Sequence, residues 1–237
     1  MKKFNVRFFA FTPFVIAFLC VIAVARPNAA SAFSAAGDFS IVNNPNGAWS
    51  YGWSTNIGSA FILDTLKTTT SFGQPGLDEW LNGQGDGNAS VQYNTTANPI
   101  FIGGHTTFQV GVLGINPGTN SAYGIVRWTA PSAGSFTITA TFSGISTIGA
   151  STDVHIFLDG NSIFNSTVNG VPAPAVFSQI ENLVLGDTID FEVGNENGNN
   201  HDDTTDLVAT IVPEPTTLAL VGMSAGCLFL LRFRKWK

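Results

Sequence analysis

Hydrophobic residues in the central part of the chain recur at every second position. The clearest run alternates apolar residues with threonines from position 136 to position 142. A period of two is typical of β-strands that bury one face. The pattern therefore predicts strands with inward-facing Phe136, Ile138, Ala140, Phe142, Val154, Ile156, Leu158, Ile189, Phe191, Val193, Leu207, Ala209 and Ile211.

Less regular runs raise the expected number of strands to ten or more. They cover 49–55, 60–68, 91–95, 108–113, 123–129, 163–168 and 176–185. Asp159-Gly160-Asn161 lies between two runs and has the composition of a tight hairpin turn. A single helical turn is predicted at 77–81. Many short strands separated by turns favour an all-β fold, with one antiparallel β-sandwich or jelly roll over residues 33–211.

The N-terminus has the three parts of a secretory signal peptide. Lys2, Lys3 and Arg7 form a positive region, and an apolar run from position 8 to 24 follows. Ala30-Ser31-Ala32 fits an A-x-A cleavage site, with 23–25 as a second candidate. We expect a signal peptide at 1–32, with an uncleaved membrane anchor as the alternative.

The C-terminus has a second apolar segment. Pro213-Glu214-Pro215 precedes an apolar run at 218–231, and a cluster of Arg and Lys closes the chain. A membrane-spanning helix needs about 20 residues, a length this run reaches only with its flanking residues. The positive end would stay cytoplasmic, which leaves the central body on the far side of the membrane.

The triplet, the short apolar helix and the basic end together resemble the PEP-CTERM sorting signal, over residues 212–237. The same tail is also catalogued as an ice-binding protein C-terminal domain. The resemblance implies that an exosortase, a membrane-embedded enzyme, recognises Pro213, Glu214 and Pro215 and processes the tail. It also implies an exported protein of the cell envelope, outer surface or extracellular matrix, held transiently in the inner membrane. Such proteins are linked to biofilms.

The order of motifs in the second half resembles a jelly-roll module similar to carbohydrate-binding sandwiches. The motifs are Trp128-Thr129-Ala130-Pro131, Asp153-Val154-His155-Ile156, Gly186-Asp187 before a strand, and Asp203-Thr204-Thr205-Asp206. The resemblance covers roughly 90 residues and implies a sandwich fold with sugar binding as a candidate activity.

Charge and cysteine content limit the function. Between Phe33 and Val212 there are 15 acidic and two basic residues, Lys67 and Arg127, which gives a net charge of −13. A nucleic-acid-binding face needs clustered Lys and Arg, so nucleic acid is excluded as a partner. Cys20 and Cys227 both lie in the terminal apolar segments, so the body forms no internal disulfide.

Aromatic residues offer a candidate sugar platform. Trp49, Tyr51 and Trp53 share one face of a predicted strand, and Trp80 lies on the predicted helical turn. A flat aromatic face can stack on a sugar ring, whereas aromatic residues more often fill a core. Both interpretations are open at this stage.

An acidic loop at 196–206 offers candidate calcium ligands, with Asp202, Asp203 and Asp206 as the first choices. Carboxylate and amide oxygens are the ligands that Ca²⁺ prefers. No EF-hand spacing is present, so a solvated loop is the alternative.

Signals for catalysis are absent from the sequence. There is no G-x-S-x-G nucleophile motif, and the acid pairs Asp78 with Glu79 and Asp190 with Glu192 are ordinary sequence neighbours. We therefore expect a non-catalytic exported protein, with polysaccharide as its candidate ligand. The alternatives are a secreted glycan-active enzyme and a purely structural matrix protein.

Overall fold

The computed structural model describes residues 31–83, 88–119, 121–148, 151–171, 173–196, 198 and 200–215. Nearly all of the predicted signal peptide and the predicted apolar helix of the tail lie outside these residues. Within the described ranges, no helix has the length and apolar composition needed to cross a membrane.

Sixteen strands are present in the part of the chain that the structure describes. They are β1 (Phe33–Ser34), β2 (Trp49–Ser54), β3 (Ile62–Leu63), β4 (Leu66–Thr68), β5 (Leu77–Leu81), β6 (Ser90–Asn94), β7 (Ile100–Ile102), β8 (Thr106–Phe108), β9 (Leu113–Asn116), β10 (Tyr123–Thr129), β11 (Gly134–Gly144), β12 (Ser151–Leu158), β13 (Asn161–Asn169), β14 (Ala175–Leu183), β15 (Thr188–Gly194) and β16 (Thr205–Pro213).

The strands form two sheets and a short ribbon. Sheet 1 has the order β14-β11-β16-β9-β6-β5-β4, with β1 also paired to β16. Sheet 2 has the order β13-β12-β15-β10-β2-β3, and the ribbon consists of β7 and β8. All pairings are antiparallel. The predicted all-β sandwich is therefore confirmed.

One hydrophobic core joins the inner faces of the two sheets, and the alternating runs supply most of it. Phe136, Ile138, Ala140 and Phe142 of β11 are at most 1% exposed, as the period of two predicts. Among the other inward positions predicted from the pattern, only Leu158 is more than slightly exposed, at the end of β12. The predicted hairpin joins β12 to β13, and Asp159 and Gly160 both have positive φ angles, as a tight turn of this kind requires.

The ribbon covers part of the outer face of sheet 1. Leu77 packs against Ile100 and Phe108 in a second, smaller hydrophobic cluster. Trp80 on the same strand reaches the main core, so the side chains of β5 alternate between two buried environments. The prediction of a helical turn at 77–81 is therefore wrong, because Leu77, Trp80 and Leu81 imitate helical spacing while both faces of the strand are covered.

Candidate functional site

A cleft of about 480 Å³ lies on the outer face of sheet 1, beside the ribbon. Close by, an added Cβ at Gly114 of β9 would lie 2.7 Å from Phe108 of the ribbon and 2.8 Å from Thr204, which lines the cleft. Ligand pockets commonly measure 300–1,000 Å³, so the size suits a small ligand or a short polymer segment. We call this the outer cleft; it is lined by Phe72, Ile102, Thr106, Asn116, Thr119, Asn200, His201, Asp202 and Thr204.

Phe72 supplies the aromatic side of the outer cleft. It lies on a short 3₁₀ turn, Ser71–Gly73, and 53% of its surface is exposed. Its φ of 51° lies in the left-handed region, which a residue with a bulky side chain seldom adopts. The buried hydroxyl of Ser71 accepts a hydrogen bond from the Gln92 amide at 3.2 Å, which ties the turn to β6. The ring is thus held at the surface by a strained backbone.

The opposite side of the outer cleft is polar, and hydrogen bonds hold it against the end of β9. The Thr204 hydroxyl donates to Asn116 at 3.2 Å, and the Asn195 amide donates to the Gly118 carbonyl at 3.1 Å. His105 Nδ1 lies 2.9 Å from an Asp202 carboxylate oxygen. These contacts hold the polar lining residues Asn116, Thr204 and Asp202 in place.

The three predicted calcium ligands, Asp202, Asp203 and Asp206, lie close in sequence and have different surroundings in the fold. Asp202 pairs with His105, whereas Asp203 is fully buried and accepts a hydrogen bond from the Ser151 N–H at 2.9 Å. Burial raises the pKa values of Asp203 and of Asp206 on β16 to about 6. Among the described residues, no group of three or more His, Cys, Asp and Glu side chains is arranged to hold a metal ion. Asp202 therefore lines the outer cleft and Asp203 fastens its loop to β12. Calcium binding by the loop stays a prediction.

Three of the four residues of the predicted sugar platform lie in the core. Trp49 and Tyr51 are at most 1% exposed, and Trp80 is 5% exposed. All three belong to the main core, and Trp80 donates a hydrogen bond to the Ser40 carbonyl at 2.7 Å. Only Trp53 is half-buried. Trp49, Tyr51 and Trp80 therefore fill the core rather than a sugar-binding surface, because the alternation of the strands directs these rings between the sheets.

Ionisable residues gather on the outer face of sheet 2, although the segment after β2 covers them. Arg127 makes two hydrogen bonds of 2.6 Å to Asp190, and the Phe61 ring lies over its guanidinium. Glu192 is 1% exposed and accepts the Gly58 N–H at 3.0 Å. Burial, together with the charge of Asp190, raises the pKa of Glu192 to about 7, although the Gly58 hydrogen bond opposes the rise. We call these four side chains and Gly58 the covered acid cluster.

His155 extends this polar face along β12. Its Nε2 lies 2.8 Å from Asp153, its Nδ1 lies 2.6 Å from the Asn165 side-chain oxygen, and Tyr123 donates to Asp153. Burial lowers the pKa of His155, but the hydrogen bonds to Asp153 and Asn165 outweigh it and raise the pKa overall. The period of two places His155 and Phe157 on the outer face of β12, yet each is only 7% exposed. Their burial shows that the outer face of β12 is covered as well.

Neither acid pair has the open geometry of a glycosidase. Asp78 and Glu79 are consecutive on β5, so they point to opposite faces of the sheet. Asp190 and Glu192 share a face, but Arg127 holds the first and Gly58 caps the second. The cleft beside them measures about 190 Å³, below the common range for ligand pockets.

Sequence reasoning found only one side of the outer cleft. The loop at 196–206 was a candidate, and its Asn200, His201 and Asp202 do line the cleft. Phe72 and Asn116 were missed because they come from a turn and a strand end that are distant in sequence and that only the folded sheet brings together. The sole sequence signal was Ser71-Phe72-Gly73, where an aromatic residue lies in a turn rather than in an alternating run.

Comparison with known families identifies the tail. Residues 212–235 match the PEP-CTERM protein-sorting motif, in agreement with the resemblance of the triplet, apolar run and basic end. No curated protein matches the chain. The motif indicates a protein that is exported and sorted through its C-terminus.

The fold is similar to carbohydrate-binding modules. A CBM51 from Clostridium perfringens GH95, solved with methyl-galactose, is 13% identical over 56% of this chain and 79% of that chain, with a TM-score of 0.34. A family 35 module from Clostridium thermocellum is 14% identical over 57% of this chain and 88% of that chain, with a TM-score of 0.28.

Part of an enzyme chain is also among the similar structures. An arabinose-bound GH51 α-L-arabinofuranosidase is 6% identical over 69% of this chain and 26% of that chain, with a TM-score of 0.36. At these identities and scores, the similarity extends to the type of sandwich and no further. The chain is thus an antiparallel β-sandwich protein that carries a PEP-CTERM sorting motif.

Proposed function

We propose that this protein is a non-catalytic component of the cell envelope or extracellular matrix that binds a neutral polysaccharide. A signal peptide at 1–32 exports the chain, and an exosortase-like membrane enzyme acts on the tail at 212–237. The apolar run at 218–231 anchors the chain transiently in the inner membrane, and the sandwich at 33–211 is the working part.

The outer cleft is the observation that carries the proposed binding activity. Its exposed Phe72 ring offers an apolar face for a sugar ring, and Asn116, Asn200 and Thr204 offer partners for hydroxyl groups. Asp202 adds a carboxylate in a body of net charge −13. An acidic polymer would be repelled by this charge, so a neutral polysaccharide fits the site better.

Calorimetric titration of the purified protein with neutral exopolysaccharide fragments tests this proposal. Replacing the ring in Phe72→Ala should weaken binding about tenfold, because the stacking surface is lost. Phe101→Ala is the matched control: Phe101 is 66% exposed on β7 but does not line the outer cleft. Equal affinities of wild type and Phe72→Ala would contradict the assignment of the cleft.

Incubating the purified protein with the same polysaccharides, alongside the titration, separates the alternatives. New reducing ends after incubation would indicate a glycan-active enzyme that uses the tail for delivery. Flat isotherms across neutral and acidic glycans would favour a purely structural matrix protein. Retention of the polymer without shortening is the result expected here.

A further inference from the structure

The sorting motif begins inside the folded sandwich. Strand β16 runs through Pro213, which is paired in register with Phe136 of β11. The next residue continues the pairing, because the Glu214 N–H donates to the Ser135 carbonyl at 2.8 Å. Pro213 and Glu214 are half-buried, and Pro215 is exposed. Two of the three motif residues are therefore part of the sheet.

The side chain of Glu214 is also engaged. Its carboxylate accepts a hydrogen bond from the Thr137 hydroxyl, on the outer face of β11. Thr137 lies between Ile180 of β14 and Val212 of β16 in the register, so its backbone is fixed on both sides. We call Ser135, Thr137 and Glu214 the motif latch.

The chain beyond the latch is short. Residues 215–217 separate Glu214 from the apolar run that starts at Leu218. Three residues span at most about 11 Å when fully extended. A membrane-embedded enzyme that binds the motif as an extended segment must therefore work directly beside the sandwich, where β11 already occupies one edge of the motif backbone.

We propose that the motif latch masks the sorting motif, so that the sorting enzyme binds it only after residues 213–214 separate from β11. This inference rests on the proposed sorting function of the tail. The ends of strands open more readily than their centres, which makes such a separation possible while the sandwich stays folded. Thr137 is then a positioning residue that sets how often the motif is free.

Pulse-labelling of the full chain in its exporting host tests the latch, with loss of the tail followed by mass spectrometry. Thr137→Val removes the hydroxyl that holds Glu214, and we expect tail removal to be about fivefold faster. Thr139→Val is the matched control: its hydroxyl lies on the same strand and face, but it pairs with Thr210 at 2.6 Å. The control should process at the wild-type rate.

Hydrogen exchange at the Glu214 amide separates failure of the latch from failure of sorting. The latch predicts slow exchange in the wild type and faster exchange in Thr137→Val, but no change in Thr139→Val. Equal or slower tail removal in Thr137→Val, or an unprotected Glu214 amide in the wild type, would overturn the latch. A wild-type chain that keeps Lys237 would overturn the sorting proposal, and the amide exchange would still decide whether the motif is held.

Discussion

At the scale of single residues, the buried Glu192 of the covered acid cluster makes the stability of the fold depend on pH. It is almost fully buried, and burial raises its pKa from 4.5 to about 7. A raised carboxyl pKa means that the folded state favours the protonated form, so ionisation of Glu192 destabilises the fold. Ionisation of Asp64 also destabilises the fold, because Asp64 is 1% exposed and burial raises its pKa to about 8.

The free energy of unfolding should therefore fall as the pH rises from about 4.5 through 7. For Glu192 alone, the shift corresponds to a loss on the order of 3 kcal/mol across this window. Glu192→Gln cannot ionise and should lose this part of the pH dependence, although Asp64 and His155 still contribute theirs. Urea unfolding at several pH values measures the effect.

Glu181→Gln is the control for that experiment. Glu181 lies on the edge strand β14 and accepts a hydrogen bond from Gln179 at 2.5 Å. This variant should keep the wild-type profile. A Glu192→Gln profile parallel to the wild type from pH 4.5 to 7 would show that Glu192 ionises freely in the fold.

At the scale of elements, the alternating pattern predicted the strands that have one buried face. β11 and β16 follow it residue by residue in burial, because their outer faces are open to solvent; these positions are polar in β11 but include the exposed Val208 and Val212 in β16. β5 and β12 depart from it, since a ribbon or a loop covers the second face and permits Leu77 or Phe157 there. A pattern of hydrophobicity cannot distinguish such strands from helices or predict which residues a distant loop buries.

Gly52 shows how closely the segment after β2 approaches sheet 2. An added Cβ would lie 2.6 Å from the Phe61 ring and 2.3 Å from the Ile62 carbonyl. Gly52→Ala should therefore push β3 and Phe61 away and lower the unfolding free energy by about 2 kcal/mol. Chemical denaturation checks this value.

Gly134→Ala is the matched control in strand β11. Its added Cβ would make only an ordinary contact, 3.5 Å from the Phe136 ring. Its stability should stay within about 0.5 kcal/mol of the wild type. Equal stabilities of Gly52→Ala and Gly134→Ala would mean that Phe61 does not pack on sheet 2 as described.

At the scale of the whole molecule, both cations of the body are occupied internally. Arg127 is bound to Asp190, while the Lys67 ammonium contacts the Ile41 and Val42 carbonyls at 2.9 and 3.1 Å. The composition predicted an acidic body, but the internal use of both cations emerges only from the fold. With Arg127 neutralised by Asp190, the exposed Lys67 is a single positive charge in a body of net charge −13, which offers little attraction to an acidic polymer.

Binding of a neutral glycan should consequently depend little on ionic strength. Exposed charges interact over about 10 Å at 0.1 M salt, and a neutral ligand gains nothing from this interaction. Titrations at low and high salt should give the same affinity within about twofold. A steep loss of affinity with added salt would indicate a charged ligand and contradict the proposal.

The mass of the mature protein from its exporting host tests the central claim, that this sandwich is exported and sorted through its tail. We predict a chain that begins at Phe33 and lacks the apolar run at 218–231 together with the basic end. A mature form that still carries Met1 or Lys237 would contradict it.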